Sequence, residues 1–272
     1  MINNNNNNNT ESIILNAMIQ NEPCIIKCDT TSWKIKDLFL DSNSNSNNSI
    51  SNHSFCPDLF CKLYGQEQIC VHNDSIDVEQ PKLNISINEF ITRIKNGEKL
   101  YAKDWHLFQF DSNKTIDADN NIDNNIDNNI DNNNNNLYHV PIEFCDDWLN
   151  WYWKRCKHGF DDYRFVYLGG KDTVTYMHHD VLYSYSWSLN LYGCKKWTLY
   201  SPKDTIHLLK KNTIDEYISD TRDGMYDPEM YPGISKTNPI VLVQEEGEAI
   251  FVPAGWYHMV ENMGHMNTNP ST

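Results

Sequence analysis

The pattern of apolar and polar positions divides the chain into a mixed N-terminal part and a second half rich in short strands. An apolar stretch with helical spacing at 14 to 19 ends at Pro23, and an extended run follows at Cys24–Lys27. Short helices and strands alternate again over 55 to 71 and 86 to 96. This pattern predicts a helical and strand-containing part that packs on the second half.

The residue pattern of the second half predicts seven strands with almost no helix between them. The strands are short, rich in β-branched and aromatic residues, and separated by Gly, Pro or Asp. They lie at 163 to 168, 173 to 180, 183 to 192, 195 to 200, 239 to 243, 248 to 253 and 257 to 262. A helical stretch is predicted only at 203 to 218. The fold class is therefore mainly β with flanking helices (α+β), as a sandwich or jelly roll.

Two segments, one helical and one extended, carry marked aromatic patterns. Residues 146 to 157 place tryptophans and a tyrosine at helical spacing, which predicts an amphipathic helix whose rings lie in the core. The strand at 183 to 192 has one large apolar face (Tyr183, Tyr185, Trp187, Leu189, Leu191) and one small polar face (Ser184, Ser186, Ser188, Asn190). The polar face would leave room for a polar ligand, although an ordinary half-exposed strand has the same pattern.

Asn-rich segments interrupt the globular sequence and are predicted to be disordered. The predicted organisation is 1–12 disordered, 13–111 the N-terminal part with a disordered insertion at 42–54, 112–136 a disordered Asn/Asp insertion, 137–263 the β-rich domain, and 264–272 an irregular tail. The ordered remainder has the composition of a single globular domain.

The formal net charge of -15 limits the classes of partner. Nucleic-acid binding needs clustered Lys and Arg, and no such cluster occurs, so a basic protein or peptide is the expected partner. No apolar run has the length of a membrane span. The eight cysteines contain no C-x-x-C pair, and we interpret them as reduced thiols of a cytoplasmic and possibly also nuclear protein.

Three residues form a candidate metal site. His178 and Asp180 form an H-x-D triplet on a predicted strand, where alternate side chains share a face and His179 points away. His258 follows the glycine, strand and proline of Gly247 to Pro253 and would supply the third ligand. Two imidazoles and one carboxylate leave three positions open on octahedral iron(II). The spacing predicts an iron site, whereas structural zinc is a more distant alternative.

The same residues allow other interpretations. A lone H-x-D is a weak signal, so His178 and Asp180 could be a surface pair and His258 an ordinary core histidine. His265 is a less well-placed alternative ligand. After the strand at 183 to 192, either Lys195 or Lys196 could pair with a dicarboxylate, and spacing does not choose between them.

The combined motifs resemble the jumonji C oxygenases. The resemblance rests on the H-x-D, the strand Gly193-Cys-Lys-Lys-Trp197 and the final Pro253-Ala-Gly-Trp-Tyr-His258. The jumonji domain-containing protein 4 subfamily is the most similar branch, through Leu100-Tyr-Ala-Lys-Asp-Trp-His-Leu107, Asp162-Tyr-Arg-Phe-Val-Tyr167 and Ser184-Tyr-Ser-Trp-Ser188. The likeness extends from about residue 13 to 262.

This resemblance implies a double-stranded β-helix of cupin type that uses Fe(II), 2-oxoglutarate and O2. It implies that His178, Asp180 and His258 hold iron, and that Thr175 and Lys195 bind the distal carboxylate of 2-oxoglutarate. Ser188 occupies a position that is often Asn in relatives.

The implied activity is protein hydroxylation, with a lysine of the translation termination (release) factor as substrate. Alternatives are N-methyl-lysine demethylation of histones and a catalytically inactive binding module. The last alternative arises because only fourteen residues follow His258, where relatives continue with a closing strand and helices. We therefore expect an unpaired strand edge beside the metal site.

Overall fold

A computed structural model of the chain describes residues 6–41, 54–74, 81–106, 115–116, 122–123, 138–156 and 163–264. Most of the segments predicted to be disordered, and the tail after Gly264, lie outside these residues, so those assignments stay predictions. The first helix begins at Asn6, within the segment 1–12 that composition assigns to disorder.

The structure contains five α-helices and thirteen strands in the part of the chain that it describes. The helices are α1 (Asn6–Gln20), α2 (Ile35–Phe39), α3 (Asp58–Tyr64), α4 (Ile87–Lys95) and α5 (Trp148–Cys156). The strands are β1 (Cys24–Lys27), β2 (Gln68–Asn73), β3 (Lys82–Ser86), β4 (Leu100–Trp105), β5 (Thr115–Ile116), β6 (Ile122–Asp123), β7 (Val166–Gly169), β8 (Val174–His178), β9 (Ser186–Leu189), β10 (Cys194–Tyr200), β11 (Ile240–Gln244), β12 (Glu248–Val252) and β13 (Tyr257–Gly264). Among these helices, none has both the length and the apolar character to cross a membrane.

The chain divides into two compact units. Of the described residues, the first unit contains 6–28 and 170–264, and the second contains those between 29 and 169. The second unit holds an antiparallel sheet of order β3-β2-β4-β7. Its helix α4 begins where the Ser86 hydroxyl accepts a hydrogen bond from the Glu89 amide, and it buries Ile87, Phe90 and Ile91.

The first unit is a two-layer β-sandwich. One antiparallel sheet has the order β1-β12-β9, and the other has the order β11-β10-β13-β8. Trp197, Leu199 and Val260 of the larger sheet pack with Ile250 and Val252 of the smaller one. Two antiparallel sheets with a shared apolar core confirm the predicted jelly-roll class.

Six of the seven predicted strands belong to this sandwich, and the seventh does not. The strand predicted at 163 to 168 is present as β7, but it pairs with β4 in the second unit.

The helical prediction for 203 to 218 was wrong. This segment holds a 3-10 turn at Thr205–His207 and an isolated bridge between Leu209 and Tyr217. The buried side chains of Leu208 and Ile218 fix this segment as a folded loop.

The strand predicted at 183 to 192 is shorter than its alternation suggested. β9 covers only Ser186–Leu189, because the chain must first turn from the sheet of β8 to the sheet of β12. Tyr183 lies in that turn with φ of 51° and is 61% exposed, so it does not belong to the predicted apolar face of the strand.

The aromatic side chains of α5 correct another prediction. Trp148, Trp151 and Tyr152 are 68%, 51% and 58% exposed, so these rings are not core residues. The two tryptophans contact neighbours on their own helix: the Trp148 and Trp151 ring centroids are 5.9 Å apart, and the Arg155 guanidinium lies 4.5 Å from the Trp151 ring. Helical spacing predicted the element correctly, but it could not predict what covers the helix.

Candidate metal centre

The three predicted ligands lie together at one end of the larger sheet of the sandwich. His178 is the last residue of β8, and it stands opposite His258 of β13 in the antiparallel pair. Asp180 follows two residues after His178. One potential ligand atom from each of the three side chains lies within 4.8 Å of the others. The sequence spacing therefore identified three side chains that the fold brings into ligand distance of one another.

Backbone carbonyl groups orient both imidazole rings. Nδ1 of His178 lies 2.7 Å from the carbonyl oxygen of Tyr176, and Nδ1 of His258 lies 3.1 Å from that of Trp256. A carbonyl oxygen can only accept, so Nδ1 is the donor in each ring. The proton on Nδ1 leaves Nε2 with its lone pair available for a metal.

Burial keeps the His258 ring neutral. Only 3% of its surface is exposed, and this desolvation, reinforced by the neighbouring His178, lowers the pKa of His258 to about 4. The ring is therefore uncharged at neutral pH, as a metal ligand must be. The Trp197 ring packs 5.6 Å from the His258 ring and closes this side of the site.

A β-bulge explains why Thr175 can share the site with His178. In a regular strand, residues three apart point to opposite faces. Here His178 pairs with His258 but Thr175 pairs with Val260, so β8 carries one extra residue between them. The bulge returns Thr175 to the face of His178 and His258. Its predicted contact with 2-oxoglutarate remains a prediction, but the register supplies the orientation that such a contact needs.

The register of β10 also distinguishes the two candidate lysines. Lys195 pairs with Asn262, which is four residues from His258 and so shares its face. Lys196 pairs with Glu261 on the opposite face, and its Nζ lies 2.9 Å from a Glu261 carboxylate oxygen. The spacing of the sequence did not choose between the two lysines, whereas the strand register favours Lys195 as the residue on the face of the site.

The serines of β9 face the inside of the sandwich. Ser188 and Ser186 pair with Ile250 and Val252, whose side chains belong to the core between the two sheets. The small polar face predicted for this strand is therefore the one that faces the interior. The Ser186 hydroxyl donates a 2.6 Å hydrogen bond to the Asp180 carboxylate, a contact that sequence spacing did not predict.

His179, the histidine between the two predicted ligands of the H-x-D triplet, does not join the group. Nδ1 of His179 lies 2.9 Å from the Asp180 carbonyl oxygen. Its ring stacks on Tyr183 with centroids 4.4 Å apart and meets the Tyr257 ring at 5.0 Å. His179 therefore points away from the other two rings, as strand alternation predicted, and His265 lies outside the described residues.

Gln244 is a buried residue of the site that sequence reasoning missed. Its side-chain NH2 donates to the carbonyl oxygens of Ser188 at 2.7 Å and Glu248 at 2.8 Å, and its carbonyl oxygen accepts from the Trp197 indole at 2.9 Å. It is fully buried and pairs in register with Lys195. The available signal was a single amide at the end of the apolar run Ile240-Val-Leu-Val-Gln244.

Comparison with known proteins agrees with the fold and the site. The model of the cupin-like domain family matches residues 11–269. The chain is 33% identical over 263 residues to the 2-oxoglutarate and iron-dependent oxygenase JMJD4 of Gallus gallus, covering 90% of this chain and 53% of that protein. It is 32% identical over 263 residues to the JMJD4 protein of Danio rerio, covering 91% and 54%. It is 30% identical over 266 residues to the arginine-specific demethylase JMJ20 of Arabidopsis thaliana, covering 90% and 51%.

These matches cover nearly all of this chain, whereas the chain spans about half the length of the curated relatives. The donor set of the site, two imidazole nitrogens and one carboxylate within 4.8 Å, fits the facial triad of non-haem iron(II) oxygenases. Family match, sandwich topology and donor set agree, and the chain belongs to the cupin-like domain family in its jumonji C branch.

Proposed function

We propose that this chain is an iron(II)- and 2-oxoglutarate-dependent oxygenase that hydroxylates a protein, with a lysine of the translation termination (release) factor as its substrate. The observation that carries the proposal is the convergence of His178, Asp180 and His258, with both Nε2 atoms left free by backbone hydrogen bonds. The relatives named 2-oxoglutarate and iron-dependent oxygenase JMJD4 support it.

His178, Asp180 and His258 would hold the iron as a facial triad and leave three positions for other ligands. Iron(II) supplies the coupling of 2-oxoglutarate decarboxylation to O2 reduction, which produces succinate and carbon dioxide and oxidises a C–H bond. The protein's part is to orient both rings through backbone carbonyl groups, to hold the Asp180 carboxylate and to exclude water with the packed Trp197 ring.

The interior of the sandwich would bind 2-oxoglutarate. Lys195 and Thr175 lie on the same face as the triad histidines, so they would pair with the distal carboxylate of the co-substrate. Ser188 lies on the facing sheet and would add a hydroxyl contact. These three roles come from the jumonji C resemblance, and the strand registers support the orientation that each role needs.

Surface charge supports a basic protein substrate. The sandwich unit exposes Asp215, Asp223, Asp227 and Glu229, and the chain has a formal net charge of -15. Such a surface would speed the approach of a Lys- or Arg-rich segment, more than it would select one sequence. We also propose a cytoplasmic location, with a nuclear share as the alternative, which the thiol form of Cys24, Cys56, Cys61, Cys70 and Cys145 supports.

One comparison favours a second candidate activity. The Arabidopsis thaliana relative is named an arginine-specific demethylase. Oxidation of an N-methyl group by the same chemistry gives a hydroxymethyl amine, which releases formaldehyde. Demethylation of a histone N-methyl-lysine or a methylated arginine is therefore the alternative to hydroxylation, and it needs no different ligand set.

The test is a product analysis on two substrate classes. The iron-loaded chain would be incubated with 2-oxoglutarate, O2 and either a release-factor domain or a methylated histone peptide, beside His178→Ala. We expect a mass gain of one oxygen atom on a release-factor lysine, absent in the variant. Formaldehyde release from the peptide without this mass gain would replace the hydroxylase proposal by the demethylase.

A further inference from the structure

We propose that Ser186 is a positioning residue of the metal centre, whose hydroxyl holds one oxygen of Asp180 so that the carboxylate presents a single oxygen beside His178 and His258. The inference deepens the proposed function and rests on it, because it assumes that these three side chains bind a metal. Neither the family resemblance nor the spacing of the sequence motifs assigns Ser186 this role.

The contact has the geometry of a strong hydrogen bond. The Ser186 Oγ lies 2.6 Å from Oδ2 of Asp180, within the range of an O–H donor to an ionised carboxylate. Both residues are half-buried, so water competes less for the carboxylate than it would at the surface. The hydroxyl therefore restrains the rotation of the Asp180 carboxylate and engages one of its two oxygens.

The smaller sheet fixes the position of the serine. Ser186 is the first residue of β9, and it pairs in register with Val252 of β12. Val252 is buried in the core between the sheets, so the hydroxyl is presented from a rigid strand and not from a mobile loop. The Asp180 backbone is held as well, because its carbonyl oxygen accepts from the Tyr183 amide at 3.2 Å.

The turn between Asp180 and Ser186 has a strained backbone, and the hydrogen bond between these two residues accounts for that strain. Leu182 and Tyr183 have φ of 58° and 51°, which bulky non-glycine residues rarely adopt. Their side chains are 73% and 61% exposed, so burial of these side chains does not offset the strain. The tight turn brings the chain back within six residues, so that Ser186 reaches Asp180. Strain of this kind concentrates at functional sites.

The hydrogen bond from Ser186 limits the number of metal positions that Asp180 can occupy. A carboxylate with two unengaged oxygens can bind a metal through both of them and occupy one more position. Because Ser186 engages one oxygen, Asp180 offers only the other. Three positions then stay available for the bidentate co-substrate and O2, which the proposed chemistry requires.

Cobalt binding tests this inference without any substrate. The chain would be stripped of metal with a chelator and titrated with Co(II), and binding would be followed by visible absorption. For Ser186→Ala we expect a Kd weakened about 10- to 100-fold, the usual cost of removing a partner of a metal ligand. We also expect an altered absorption spectrum, because the carboxylate is free to bind through both oxygens.

Three variants make the comparison specific. Ser184→Ala removes a hydroxyl from the same turn and should bind Co(II) like the unmodified chain. Ser186→Thr keeps the hydroxyl and should restore most of the affinity. If Ser186→Ala fails to fold, Ser186→Cys keeps the approximate size with only a weak S–H donor, and it should show the same loss.

An unchanged Kd and an unchanged cobalt spectrum in a folded Ser186→Ala, or in Ser186→Cys where the alanine variant does not fold, would overturn the inference. The outcome is independent of catalysis. If the unmodified chain consumes no 2-oxoglutarate but Ser186→Ala still weakens cobalt binding, the proposed function fails and the role of Ser186 stands. If the unmodified chain consumes 2-oxoglutarate but Ser186→Ala binds cobalt as tightly as that chain does, the proposed function stands and the role of Ser186 fails.

Discussion

At the scale of single residues, the neighbours His178 and His179 show how backbone direction selects a ligand. Both are half-buried histidines, yet one faces His258 and the other stacks on Tyr183. The alternation of a strand makes this difference, so it was predictable from the sequence. Alternation alone did not choose between Lys195 and Lys196. That choice also needed the pairing of β10 with β13, which shows which of the two lysines shares the face of His258.

The two lysines give a prediction at this scale. Lys195→Ala should raise the KM for 2-oxoglutarate about 10- to 100-fold, because a hydrogen bond to a charged group contributes about 1.5–3 kcal/mol. Lys196→Ala should leave this KM nearly unchanged, because its partner Glu261 lies on the other face. Steady-state kinetics at saturating iron would measure both values. A larger increase for Lys196→Ala would contradict the assignment of faces.

Polar contacts between distant residues were the part of the site that the sequence could not reveal. The motif spacing predicted His178, Asp180 and His258, since these lie in short segments with known strand geometry. Gln244 acts through Ser188, which is 56 residues away on another strand, and Ser186 reaches Asp180 across the turn that leads from one sheet to the other. Such contacts depend on how strands pair, and one sequence does not contain that information.

At the scale of elements, Gln244 joins the two sheets of the sandwich. It extends from β11 of the larger sheet and binds carbonyl groups of β9 and β12 in the smaller one. It also holds the Trp197 indole that packs against His258. This buried amide has a partner for each of its polar groups, which is the condition under which a polar group in a core is stabilising.

We predict that Gln244→Leu lowers the free energy of unfolding by about 2–4 kcal/mol, because it leaves buried polar partners unsatisfied. Urea denaturation followed by tryptophan fluorescence would measure the change. Gln68→Leu, at an exposed position at the start of β2, is the matched control and should change stability by less than about 0.5 kcal/mol. Equal effects of the two substitutions would contradict the bridging role.

Element boundaries show where sequence patterns were insufficient. Short runs of β-branched and aromatic residues bounded by Gly, Pro or Asp identified β8 and β10 to β13 closely, because these strands contribute buried side chains to the sandwich. The strand at β9 was overestimated, since Tyr183 and Tyr185 alternate in the sequence but lie before the strand begins. For α5 the pattern gave the helix but not its exposure, because a sequence does not specify which surface another segment covers.

The sequence predicted an unpaired strand edge beside the metal site, and the structure shows which strand lies at that edge. β13 is not that edge, because it lies between β10 and β8. Within the described residues, β8 is the outer strand of this sheet, and the Met177 amide on it donates to the Ser219 carbonyl oxygen at 2.8 Å. The strand that carries His178 is therefore held on its outer side by a loop.

At the scale of the whole molecule, metal and co-substrate should contribute to stability. His178 and Asp180 come from the region of β8 and His258 from β13, so a bound ion links separate strands of the sandwich. Ligands that bind only the folded state stabilise it, by about 2.7 kcal/mol at a hundredfold excess over Kd.

We predict that Co(II) and 2-oxoglutarate raise the melting temperature of the unmodified chain in a concentration-dependent manner. His178→Ala should lose this response while keeping a folded metal-free state, and His179→Ala should retain it. Differential scanning fluorimetry would report all three. An equal shift in His178→Ala would place the metal at some other site.

The central claim is that this cupin-like chain is an oxygenase whose metal is held by His178, Asp180 and His258. The most direct measurement is succinate formation from 2-oxoglutarate by the chain loaded with iron under anaerobic conditions and then given O2, with and without a release-factor domain. We predict turnover that the substrate stimulates, that His179→Ala retains and that His178→Ala abolishes. A folded, iron-bound chain that forms no succinate with substrate present, or turnover that persists in His178→Ala, would contradict the claim.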